Sequence, residues 1–181
     1  MFPNGGKDVL RVPVSGQWSS ARPNVLVVAC SDGRLQEATD VFLANELGVV
    51  RYDRFYVPGG AGALVASGYD FVRAQQMRRE CRYLIELHGI RKIVLLMHGP
   101  VAGGPAEASC ADYRRKLPRA SVEQLREQQT VDASQLLRQR TKWAGLAAVA
   151  VYRCEIDVGG AITFVDLAAS SESRRVRLTR P

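Results

Sequence analysis

Histidine is scarce in this chain of 181 residues, at two copies, and cysteine occurs only four times, at positions 30, 81, 110 and 154. No Cys-x-x-Cys pair is present and the spacing follows no regular framework, which excludes a disulfide-rich secreted scaffold and points to reduced thiols. No apolar run approaches the ~18 residues that a membrane span needs. The opening MFPNGGKDVLRVPV lacks the continuous apolar stretch of a secretory leader, so a soluble, cytoplasmic protein without a membrane partner is expected. Neither GxGxxG nor GxxxxGK[ST] occurs, which leaves dinucleotide and nucleoside triphosphate sites unsupported. Internal repeats, low-complexity blocks and dividing linkers are also missing.

What is present is an ordinary globular composition, 46% hydrophobic and 24% charged. At 19.9 kDa the chain has the size of one domain, and such a domain buries roughly 70% of the surface its unfolded chain exposes. The net charge is +7, and 21 of the 25 basic residues are Arg. Much of that charge is local. Arg174, Arg175, Arg177 and Arg180 belong to a polar, Ser-containing tail, while Arg73, Arg78, Arg79 and Arg82 share one helical segment. Both groups read as solvated faces. No aromatic interleaving or recognised nucleic-acid motif accompanies them, so nucleic acid is not the expected partner.

The pattern divides into an N-terminal extension (1–23), one α/β domain (24–168) and a basic tail (169–181). Val25 to Ala29 is a short β-branched run suited to a strand buried on both faces. Helical spacing follows over 35–47, a second strand over 54–57, and a long helix along Phe71, Ala74, Met77, Cys81, Leu84 and His88, with Gly89 as its cap. Lys92 to Met97 is the next buried strand. Residues 105–118 carry no readable period. Ser121 with Gln124 marks a capping box opening a helix to 142. A fourth strand is expected over 146–153, then the Gly159-Gly160 turn and an antiparallel edge strand over 161–167. This order predicts a mostly parallel sheet with an antiparallel edge strand and helices on both faces. Ligands of such sheets bind beyond the carboxyl ends of the strands.

Two of those ends carry chemistry. The first strand runs into Cys30-Ser31-Asp32-Gly33-Arg34, a thiol, a carboxylate and a guanidinium on one tight turn. A thiolate is a soft metal ligand or a nucleophile, and Arg34 can hold the Asp32 carboxylate by paired hydrogen bonds. The third strand ends in His98, whose imidazole is a common zinc ligand. Neighbouring parallel strands bring Cys30 and His98 together despite the 67 residues between them. After the second strand, Pro58-Gly59-Gly60 leads into a segment whose free N–H groups can hold a small anion.

Cys30-Ser-Asp-Gly-Arg34 resembles the Cys-x-Asp-x-Arg motif of the β-class carbonic anhydrases. His88 to Gly104, with His98 and Val101, resembles that family's strand ending in His-x-x-Cys-Gly, and Tyr152 to Leu167 resembles its closing hairpin. The resemblance implies that family's fold, Cys30 and His98 as zinc ligands, and Asp32 with Arg34 as the pair that gates or orients the metal's water. It further implies a lyase of the carbonate dehydratase type, hydrating carbon dioxide to bicarbonate, and a homodimer or higher homo-oligomer.

The chain departs from the family pattern where it matters most. Val101 stands at the second zinc-ligand cysteine, and Pro58-Gly59-Gly60 replaces an Asn-Ala-Gly stretch. Two alternatives restore a third donor. Asp32 can leave Arg34 and coordinate, or Cys110, twelve residues beyond His98, can fold back. The rival to a zinc enzyme is a non-catalytic module that binds a small anion through Arg34, Gly59 and Gly60. Thiol chemistry at Cys30 is a further reading.

Overall fold

The structure, a computed structural model, describes residues 12–67, 70–139, 143, 146 and 148–168. The basic tail expected at 169–181, the start of the N-terminal extension at 1–11 and the helix end expected at 140–142 lie outside the described residues.

Five strands form one sheet: β1 (Val25–Ala29), β2 (Asp53–Tyr56), β3 (Lys92–Pro100), β4 (Ala148–Ile156) and β5 (Ile162–Asp166), in the order β2-β1-β3-β4-β5. The first four are parallel, and β5 returns antiparallel to β4 through the Gly159-Gly160 turn. This is the mixed α/β architecture expected from the alternation of strand and helix signals. All five residues of β1 are buried, because a central parallel strand meets helices on both faces and has no side on which a polar residue would be solvated.

Those two faces hold separate cores. On one, Val25, Val27 and Ala29 of β1 and Val94 and Leu96 of β3 pack under Leu43 of α1 (Gln36–Asn45), with Phe42 stacked on Phe164. On the other, Leu26, Val28, Ile93, Leu95 and Met97 meet Cys81 and Ile85 of α2 (Phe71–His88) and Ala133 and Leu136 of α4 (Val122–Arg138). Gly89, at φ 67°, closes α2, and the Ser121–Gln124 capping box opens α4. Between β3 and α4 lies a short helix, α3 (Ala111–Lys116), in the segment where no period is readable. None of the described helices is long and apolar enough to cross a membrane.

Several boundaries move. Asp32 caps a 3₁₀ turn over Gly33–Leu35, so α1 begins at Gln36. The strand β4 runs to Ile156, beyond the expected 153, because its register with β3 continues through His98↔Cys154 to Pro100↔Ile156. The chain leaves β1 toward β2 on one side and later crosses to β3 on the other. The carboxyl ends of β1 and β3 therefore flank the point where the winding reverses, and a crevice opens there.

Candidate metal centre

Three donors converge at that crevice. The Sγ atoms of Cys30 and Cys110 and a ring nitrogen of His98 all lie within 4.8 Å of one another. Tetrahedral zinc, with Zn–S of about 2.3 Å and Zn–N of about 2.0 Å, implies donor separations of about 3.5–3.8 Å, so a contraction of at most about 1.3 Å closes the set. His98 is 3% exposed, and its Nε2 is buried without a hydrogen-bond partner. An imidazole nitrogen left unpaired in the interior costs free energy unless something binds it. The donor chemistry and the unpartnered nitrogen both fit a soft divalent metal such as zinc.

Each donor is placed by a different element. Cys30 follows the last residue of β1, where the Ser31 N–H donates to Val57 O at 3.2 Å and the Val57 N–H donates to Ala29 O at 3.0 Å. His98 lies within β3, and Gln129 Nε2 of α4 donates to its carbonyl at 2.8 Å. Cys110 is the N-cap of α3 and is buried against Tyr113 and Leu125. The neighbouring Cys110 thiol, the His98 imidazole and the Gly59 N–H together outweigh the opposing effect of burial and hold the Cys30 thiol well below the usual thiol range. Cys110 is pushed the other way, first by the neighbouring Cys30 and then by burial, although the N–H groups of Tyr113 and Asp112 point at its sulfur and favour the thiolate. Backbone N–H groups aimed at both sulfurs suit thiolates that share a cation.

Of the two alternatives for a third donor, the structure brings Cys110 into the cluster. The Asp32 carboxylate accepts from Arg34 Nε at 2.9 Å and 3.2 Å and from Arg34 Nη2 at 2.6 Å, and its Oδ1 also accepts the Arg34 N–H at 3.1 Å. The guanidinium holds the Asp32 carboxyl down at about 2. The Val101 side chain carries no donor atom, and its N–H is donated to Ile156 O at 2.9 Å. Gly59 and Gly60 lie beneath the site and are buried, and the Gly60 N–H is donated to Val57 O at 2.9 Å. Neither glycine lines the cleft that Arg34 lines.

That cleft has a volume of about 310 Å³ and runs from His98 past Asp32 and Arg34 to the walls formed by Leu35, Ile156 and Val158. Glu107 and Asp157 also border it, so three carboxylates face one guanidinium. Cys81 and Cys154 take no part in the cluster, and burial raises each thiol to about 12. The residues that hold α3 in place carry almost no signal in the sequence. Asp112, Tyr113 and Lys116 belong to the stretch without a readable period, yet all three are buried.

No family model matches the chain, and no curated protein matches it. Among solved structures, the chain is similar to the β-carbonic anhydrase CafA of the fungal pathogen Aspergillus fumigatus. The identity is 18%, covering 87% of this chain and 82% of that one, with a TM-score of 0.43. A likeness that distant does not bear on activity.

Proposed function

We propose that this protein is a zinc-dependent carbon dioxide hydratase of β-carbonic anhydrase type, its metal held by Cys30, His98 and Cys110. The observation that carries the reading is the convergence of donor atoms from Cys30, His98 and Cys110, in a site where His98 Nε2 is buried without a hydrogen-bond partner. Support comes from the Cys30-Ser-Asp-Gly-Arg34 motif, which lies against that cluster and faces an open cleft.

Zinc in such a site supplies a Lewis acid and, near neutral pH, a nucleophile derived from water. The remaining work falls to the chain. Three protein donors leave one position open, as catalytic zinc sites require. Arg34 keeps Asp32 off that position by occupying both carboxylate oxygens. With its carboxyl held near 2, Asp32 is ionised at neutral pH and serves as an acceptor that orients water, not as a proton donor. The proton released on hydration then leaves through the open cleft to solvent. Leu35, Ile156 and Val158 give the cleft apolar walls suited to a small neutral gas.

The anion-binding module draws less support. Gly60 has already donated its N–H, and the cleft's carboxylates outnumber its cation three to one among the side chains named above.

The test is stopped-flow carbon dioxide hydration on zinc-loaded protein, with metal content measured on the same samples. Wild type should hold one zinc and accelerate hydration, and His98→Ala should lose both. Stoichiometric zinc without hydration above the uncatalysed rate would refute the enzyme, and full zinc retained in His98→Ala would refute the site.

A further inference from the structure

Beneath Cys30, the Val57–Gly60 turn fits closely enough that no side chain could replace either glycine. Gly59 adopts φ 91° and Gly60 φ 52°, both in the left-handed region. A Cβ on Gly60 would stand 2.7 Å from the Cys30 nitrogen, and one on Gly59 would stand 2.9 Å from the Asp112 carboxyl carbon. The turn is therefore squeezed between the residue that bears the first thiol and α3, which bears the second.

One side chain ties these pieces together. Arg73, in the first turn of α2, donates from Nη1 to Asp112 Oδ1 at 2.8 Å and from Nη2 to Pro58 O at 2.5 Å. Asp112 is almost fully buried and follows Cys110 by two residues. Arg115 also donates to Asp112 Oδ1, at 3.1 Å, and pairs with Asp70 at the N-cap of α2. A planar guanidinium can serve two acceptors at fixed angles, which an ammonium cannot.

We propose that Arg73 is a positioning residue for the metal centre, bridging Asp112 and the Pro58 carbonyl so that the 57–60 turn and α3 hold Cys30 and Cys110 in register. The inference rests on the zinc reading above and extends it to a residue that touches none of the donors. Partners that hydrogen-bond a ligand directly typically contribute 10–100-fold to metal affinity, and a residue that acts through them belongs at the lower end of that range. The Val57 N–H to Ala29 O bond and the Ser31 N–H to Val57 O bond, on either side of Cys30, are the links through which the turn holds the first thiol.

The experiment compares wild type, Arg73→Met, Arg73→Lys and, as a control exposed on the same helix, Arg79→Ala. Two quantities are read: zinc affinity by chelator competition, and amide hydrogen exchange in the metal-free protein. The Ser31 and Gly60 amides both donate to Val57 O and report the turn, while Val27 and Leu95 report the core. Arg73→Met should weaken zinc binding about tenfold and speed exchange at Ser31 and Gly60 at least about tenfold, with the core amides unchanged. Arg73→Lys should fall between it and wild type, and Arg79→Ala should match wild type. Zinc affinity unchanged in Arg73→Met would overturn the proposal, as would exchange that rises equally in the core. Wild type that takes up no zinc would sink the function proposed above, leaving the exchange at Ser31 and Gly60 to decide this one.

Discussion

Replacing Cys110 by Ala removes one of the three donors and should abolish tight zinc binding while leaving the fold intact. A structural zinc site with four protein ligands is worth about 10–16 kcal/mol. An equal share per ligand puts one thiolate at about 3–4 kcal/mol, or two to three decades in Kd. The cost to the metal-free fold is smaller. Cys110 packs against Tyr113 and Leu125 and is 2% exposed, so its loss leaves a cavity about the size of one sulfur, worth about 1 kcal/mol. Zinc at 1,000 times the wild-type Kd stabilises that protein by about 4.1 kcal/mol. At the same concentration a variant weakened by two to three decades gains about 0.4–1.4 kcal/mol. For a chain of this length the melting shift on adding zinc is then about 8–16 °C in wild type and about 1–6 °C in Cys110→Ala. Asp32→Ala should keep the full wild-type shift, because the Asp32 carboxylate is engaged by Arg34 and not by the cluster. The assay is a thermal melt with and without zinc, with bound metal determined after dialysis. A full zinc shift retained in Cys110→Ala but lost in Asp32→Ala would refute the donor set.

Further expectations come from the same geometry. Val101→Cys in the wild-type background should leave the stoichiometry at one zinc, since Cys30, His98 and Cys110 already offer three donors; metal analysis checks this. Gly62→Ala should destabilise the fold by about 1–3 kcal/mol in urea melts, because the new methyl would stand 2.6 Å from the Tyr113 hydroxyl, which is bonded to Asp132 at 2.7 Å. Burial raises the Cys81 thiol from 9.0 to about 12, so its native state keeps a proton that the unfolded chain releases. That contribution is complete below pH 9 and is lost as the pH climbs toward 12, by up to about 4 kcal/mol. Cys81→Ala carries its cavity cost at every pH, so the stability gap to wild type should narrow between pH 8 and pH 11; a constant gap would contradict the assignment.

The parts of the fold that were legible are those in which backbone and hydrophobic pattern agree. Val25 to Ala29 and Lys92 to Met97 are short β-branched runs that suit only buried strands, and the rule that parallel strands present ligands at their carboxyl ends then picks out Cys30 and His98. Helix α2 was readable from Phe71 to its Gly89 cap because its apolar residues recur at helical spacing. Helix α3 was not. Its six residues, ADYRRK, include only one aliphatic residue, Ala111, and that residue is exposed, while the buried positions are Asp112, Tyr113 and Lys116. Patterning infers burial from apolarity, and here burial is bought by pairing. Lys116 Nζ donates to Gly62 O at 2.8 Å, Tyr113 to Asp132, and Arg73 to Asp112. Cys110 stood as one of two possible third donors, since nothing local distinguishes a cysteine before a polar hexapeptide from a packing thiol.

A metal ligand is defined by its position in space, so a thiolate missing from a strand end can be supplied from a helix that returns to the same point. The return carries a structural demand. A ligand on β3 inherits the rigidity of a nine-residue strand paired along its length with β4. A six-residue helix has no comparable stability of its own, because nucleation costs more than so few hydrogen bonds recover. It must therefore be fixed by tertiary ties, and α3 has one on nearly every residue: Asp112 to Arg73, Tyr113 to Asp132, Arg114 to Ala106 O, Arg115 to Asp70 and Lys116 to Gly62 O. Four of these five reach α2, α4 or the segment after the Gly59 turn, and one reaches the loop that leads back from β3. On the proposed zinc reading, the buried charge around Asp112 gives Cys110 the rigidity that His98 takes from the sheet.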